Sequence, residues 1–132
     1  RIRRVLIAVI PWRRGSPDRI PAMSTLPPAS ALLLADLITP TEEGIASRVL
    51  AKSGGGSLTL FAFAAGQGLD EHSAPFDALV LVLEGELLLT IGGSPVRALP
   101  GTVVRMPAGV PHAVDAPAPA RMLLVMLREP KS

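Results

Sequence analysis

The sequence predicts an all-β domain, most simply a double-sheet jelly-roll barrel, and three observations carry that prediction. Short runs rich in leucine and valine recur along the chain, among them Ala78–Leu83, Leu87–Ile91 and Met122–Leu127. Turn residues punctuate them at close intervals, with 12 glycines and 14 prolines in 132 residues. Two blocks of similar strand–turn design, GQGLDEHSAPFDALVLVLEGELLLTIGG and GTVVRMPAGVPHAV, each hold one of the two histidines. Repeated short strands with turn signals between them describe a sandwich or a barrel.

Composition bounds the function before any motif is considered. A chain of 132 residues with 48% hydrophobic content is one domain with a buried core. Aromatic residues are 3%, with no tyrosine, which removes the stacking platforms that single-stranded nucleic acid needs. The lack of cysteine excludes disulfides, thiolate zinc sites and a cysteine nucleophile, and is compatible with a cytoplasmic protein. No apolar run reaches the length of a bilayer-spanning helix, so no membrane partner is expected. Charge is unevenly divided: residues 1–22 carry six arginines and one acid, whereas residues 23–132 hold seven bases and ten acids. The basicity belongs to an N-terminal arm, and the domain itself lacks the basic stripe of a nucleic-acid binder.

In chain order, residues 1–22 read as a disordered extension ahead of a single domain over residues 23–132. The apolar run Val5–Ile10 resembles a signal peptide, but Pro11 breaks it and no small-residue cleavage site precedes Arg13. Ala29–Ile38 is rich in alanine and leucine, and predicts a short helix capped by Ser24 or Ser30 and stopped by Pro40. Ile45–Lys52 and Ser57–Ala64 read as paired strands around Gly54-Gly55-Gly56, a turn and not a phosphate loop, since no lysine-bearing helix follows. In the second of these strands both alternating faces are apolar, which predicts cover on both sides. Ala78–Leu83 and Leu87–Ile91 read as a hairpin about Glu84-Gly85-Glu86, and Gly92-Gly93 as the next reversal. Val96–Leu99, Val103–Met106, Ala113–Val114 and Met122–Leu127 complete the strands.

The two histidine blocks resemble the paired motifs of the cupins, small β-barrels that often hold a metal. The first motif runs Gly, five residues, His-x-His, then Glu and Gly; here Gly66, His72 and Gly85 fit, with Ala74 and Ala78 in place of the second His and the Glu. The second motif fits at Gly101, Pro107, Gly109 and His112, with Ala116 in place of its Asn. The resemblance covers roughly Leu37 to Leu127 and is closest to small one-domain bacterial cupins. It implies that His72 and His112, one per motif, meet inside the barrel mouth. It also implies a degenerate metal site, because the family's usual three histidines and a glutamate are reduced to two histidines.

A divalent transition metal (Zn, Fe, Mn, Ni or Cu) there would need a third protein ligand. Strand alternation puts Asp70 on the face of His72 and aims Asp77 elsewhere, unless Pro75 bends the chain; these two carboxylates are the candidates. Without a metal, His72, Asp77 and His112 are expected to line a pocket for a small-molecule ligand. Two functions therefore stand side by side. One is a binding or sensing module; the other is a metal-dependent enzyme of the dioxygenase or isomerase kind using His72 and His112. No catalytic residue is assigned. Ser73 points away from His72 and no nucleophile elbow occurs, while Glu84 and Glu86 flank a turn. Met106, Met122 and Met126 suit core filling. The excess of apolar strand residues points to a homodimer covering one sheet face or edge.

Overall fold

Period-two burial organises the molecule. The computed structural model describes residues 3–5, 26–39 and 42–128. Among the described residues there are ten strands: β1 (Arg3–Val5), β2 (Ile45–Ser53), β3 (Gly56–Phe63), β4 (Gln67–His72), β5 (Ala78–Glu84), β6 (Leu87–Ile91), β7 (Ser94–Ala98), β8 (Val103–Met106), β9 (His112–Ala116) and β10 (Ala120–Leu127). They form two five-stranded sheets, ordered β1-β4-β9-β6-β7 and β2-β3-β10-β5-β8. Apart from the short parallel contact of β1 with β4, every strand pair is antiparallel. The expected jelly-roll architecture is present. Among the described residues no helix is long and apolar enough to cross a bilayer.

The inner faces of the two sheets meet in one core. Leu87, Leu89, Leu69, Val114 and Ala116 come from the first sheet. Val80, Val82, Met122, Leu124, Phe61 and Phe63 come from the second. Interdigitation of alternate residues from two facing sheets is the usual way to fill such a barrel. Met106 and Met122 lie in this core with Met126 packed against it, so the methionines are filling.

The two-sided cover expected for β3 is also present, and its outer half comes from the same chain. Leu37 and Ile38 lie on the outer face of the second sheet against Leu50, Leu60 and Ala62. Their segment is not the helix expected from its alanine and leucine content. Only Leu34–Asp36 forms a 3-10 turn, without a side-chain cap. The C-terminal part of the segment is tied to the sheet. Arg48 donates to the Leu37 carbonyl at 3.0 Å and Arg121 to the Ala35 carbonyl at 2.9 Å. These oxygens are among the last four carbonyls, which a helix ending at Ile38 would leave unpaired, and the arginines of the sheet hold them while Leu37 and Ile38 pack on its outer face. Ser30 turns back to the Pro28 carbonyl, and Ser24 and Pro40 lie outside the described residues.

A second correction concerns β5 and β6. They do not pair: β5 lies in the second sheet between β10 and β8, and β6 in the first between β9 and β7. Glu84-Gly85-Glu86 is therefore a corner between sheets. Gly85 has φ +73°, and a Cβ there would overlap the Pro119 carbonyl and sit 2.9 Å from Ala120 Cα. Only glycine fits such an approach. By contrast Gly92-Gly93, both at positive φ, close a true hairpin in which Ile91 pairs with Ser94. Of the extension expected to be disordered over residues 1–22, Arg3–Val5 is recorded as β1, and the rest lies outside the described residues.

Candidate functional site

Both histidines stand at one end of the barrel, where two loops cross between the sheets. β4 ends at His72 and the chain crosses to β5 at Ala78, while β8 ends at Met106 and crosses back to β9 at His112. The crossings are tied together. The Gly109 amide donates to the Ala74 carbonyl at 2.7 Å, and the Ala108 amide to Asp77 Oδ1 at 2.8 Å. The Gly92 amide donates to the Pro111 carbonyl at 2.8 Å, bracing the rim from the β6–β7 hairpin.

His72 and His112 are direct cross-strand partners. Their ring centroids are 5.1 Å apart and the planes are inclined by 50°. A β-bulge is what brings them together. Leu69 pairs with Val114 and His72 with His112, so β4 carries one residue more than β9 between these pairs. Val114 and His112, two apart on β9, share the inner face. The bulge puts Leu69 and His72 there too, although they are three apart. Asp70 and Glu71 together stand opposite Ala113, so the simple alternation that places Asp70 beside His72 is interrupted by the extra residue.

Asp77 lies one position before the inward-facing Ala78, and its carboxylate braces the rim. Besides the Ala108 amide, it holds Arg105 Nε at 3.3 Å. Glu84 pairs with Arg121 at 3.3 Å and Glu86 with Arg97, both at the opposite end of the barrel. Each glutamate thus has a basic partner.

The inner surface around the imidazoles is apolar apart from Ser57. Ile91 pairs with His112 on the side away from His72. In the other sheet, the corresponding row reads Met106, Ala78, Met126, Ser57 by register. His112 is 3% exposed and its Nδ1 donates to the Val110 carbonyl at 3.3 Å. Burial pushes its pKa below the ordinary value of 6.5; the neighbouring His72 adds to this and the Val110 contact opposes it. His72 Nδ1 is buried with no partner.

The fit to a metal can be judged from these donors. Two imidazoles with centroids 5.1 Å apart could share one ion. A catalytic zinc or iron site takes about three protein ligands. Among the described residues, no group of three or more His, Cys, Asp or Glu side chains is placed to hold one. Ala78 (4% exposed) and Ala116 (fully buried) lie in the core at two motif positions that the cupin pattern fills with polar residues. The residues present do not fit the usual ligand set. Sequence reasoning missed Val110, whose backbone carbonyl leaves no sequence signal, and Ile91, whose place beside His112 depends on the β6–β9 register.

Comparisons with known proteins agree with this architecture. The Cupin domain family matches residues 59–126, just over half of the chain. A conserved protein of unknown function from Streptococcus pyogenes is 32% identical, with TM-score 0.76 over 80% of this chain and 93% of its own. A cupin superfamily protein from Desulfitobacterium hafniense is 33% identical, with TM-score 0.73 over 79% of this chain and 95% of its own. A cupin 2 conserved barrel domain protein from Leptotrichia buccalis is 35% identical, with TM-score 0.69 over 72% of this chain and 46% of its own. No curated protein matches the sequence. With two histidine motifs on a ten-stranded jelly roll and a family match across its central strands, the chain belongs to the cupin family.

Proposed function

We propose that this chain is a binding or sensing cupin that takes a small organic molecule at the His72–His112 end of the barrel. The observation that carries the reading is the composition of that end: two adjacent imidazoles are framed by Ile91, Met106, Ala78 and Met126, with the Ser57 hydroxyl at the end of the row. An apolar wall with a few convergent polar groups is the common form of a small-molecule site. Asp77 contributes to it as a brace of the rim.

The test is a thermal-shift screen of the full chain beside a His72→Ala, His112→Ala double variant. Compounds that raise the midpoint of the parent and leave the variant unmoved support the reading. A screen in which every stabilising compound acts equally on both proteins would sink it.

One observation favours a second reading, the metal-dependent dioxygenase or isomerase. The His112 Nδ1 bond to a backbone carbonyl is the pattern that also orients metal-ligating histidines. Among the described residues it lacks a third ligand. We also propose a homodimer, supported by Val103, 60% exposed on the edge strand β8. Sedimentation velocity of the full chain decides it: a single monomeric boundary at micromolar concentration would contradict the dimer.

A further inference from the structure

The chemistry of the ligand can be narrowed from the protons on the two rings. A carbonyl oxygen only accepts, so the bond to Val110 fixes the proton of neutral His112 on Nδ1 and leaves Nε2 as a lone pair. His72 has the complementary arrangement. Its Nδ1 is sealed in the protein without a partner. A buried N–H left unpaired is rarer than an under-used acceptor, so the proton belongs on Nε2, the nitrogen a ligand or water can meet. Among the described residues the Val110 contact is the one hydrogen bond made by either imidazole.

The pair therefore offers one donor and one acceptor from rings whose centroids are 5.1 Å apart. A hydroxyl group matches both at once, giving its proton to His112 and accepting from His72. A carboxylate brings only acceptors and would face the His112 lone pair unpaired. A purely apolar group would leave both nitrogens unsatisfied. Cations do occur near the rim, but in other roles: Arg105 holds Asp77, and Arg128 lies over the Phe76 ring at 5.1 Å. Lys52, in register with Ser57 at the edge of its sheet, is exposed. The wall of Ile91, Met106 and Met126 favours an apolar body, and thioethers make favourable contacts with aromatic rings.

We infer that the His72–His112 pair is a hydroxyl-reading site, selecting a compact apolar alcohol or phenol over carboxylates and hydrocarbons of the same size. This rests on the barrel-binding reading above and specifies its ligand class.

The experiment uses the full chain, 15N-labelled, at pH 7.5, with phenol, toluene and benzoate as probes. Long-range proton–nitrogen spectra of the histidine rings report which nitrogen carries each proton. Phenol, with an ionisation near that of tyrosine, stays neutral there. It is expected to bind about tenfold more tightly than either analogue, the scale of one or two well-made hydrogen bonds. The His112 Nε2 resonance should leave the position of a free lone pair while Nδ1 keeps its proton. Toluene or benzoate binding as tightly as phenol overturns the hydroxyl inference and leaves the barrel-binding reading standing. So does a free protein with His112 protonated on Nε2 alone. If none of the three moves either ring at millimolar concentration the inference also fails, whereas the binding reading fails only with the thermal-shift screen.

Discussion

Restoring the lost glutamate is a direct probe of the site's geometry. Ala78 begins β5, is 4% exposed, and faces inward between Met106 on β8 and Met126 on β10. Ala78→Glu places a carboxyl in a filled apolar row at the end where β4 delivers His72. Overpacking costs about 1–3 kcal/mol, and burying a polar group without a partner adds about 1–3 kcal/mol. The variant should lose roughly 2–6 kcal/mol of stability in metal-free buffer. It also completes a set of two imidazoles and one carboxylate, the three protein ligands of a catalytic zinc site. Zinc at a hundred times its dissociation constant would then return about 2.7 kcal/mol, because it binds only the folded state. Urea unfolding of parent, Ala78→Glu and Ala78→Gln, each with and without zinc, separates the contributions. The glutamine variant carries the same bulk without the charge, and should be destabilised with no zinc rescue. Equal rescue of glutamine and glutamate variants, or none in either, would show that position 78 does not face the histidine pair.

Other expectations follow from single contacts. Gly85→Ala, at φ +73° and against the Pro119–Ala120 backbone, should cost about 2–4 kcal/mol by chemical denaturation, and a loss under about 1 kcal/mol would argue against the corner. Because burial lowers the His112 pKa, the unfolded chain binds the proton more readily than the folded one. Its contribution to stability is then fully present above about pH 6.5 and lost as pH falls through the depressed folded value. Urea midpoints measured from pH 8 to pH 5 should decline over that lower range in the parent and decline less in His112→Gln. Asp77→Ala removes the acceptor of the Ala108 amide and should cost about 1–2 kcal/mol, whereas Asp77→Asn, which keeps an oxygen there, should lose much less. Thermal melts compare the two; equal losses would mean that the charge, through Arg105, matters more than the brace.

Most of the barrel was legible because its strands are short, apolar and closed by turn residues whose chemistry is local. β8 and the Gly92-Gly93 hairpin emerge where the residues put them. What local pattern could not tell was partnership. Ala78–Glu84 and Leu87–Ile91 look the same whether joined by a hairpin or a corner, since a tight glycine turn serves both. The segment before β2 was misread as helical because its alanines and leucines favour a helix. Arg48 and Arg121, remote in sequence, tie its last carbonyls to the sheet, Leu37 and Ile38 dock on the outer face, and Leu33 is left 70% exposed. At the site, the motif spacing located both histidines, yet the bulge between Leu69 and His72 has no signature in the residue types. That one extra residue decides which side chains join His72 inside, and it undermines the alternation argument for Asp70. Asp77, expected to line the pocket or to supply a third ligand, instead meets Arg105 and the Ala108 amide, partners that depend on the β5–β8 pairing.

The central claim is that the two histidines serve an organic ligand and do not hold a catalytic metal. Elemental analysis of the purified full chain tests it most directly, after incubation with zinc, iron, manganese, nickel or copper and then desalting. It is run beside the His72→Ala, His112→Ala double variant. With two of about three required ligands, the parent should retain less than about 0.1 equivalent of any of these metals and match the variant. Near-stoichiometric metal in the parent, lost in the variant, would contradict the account and move the protein to the metal-dependent enzymes of its family.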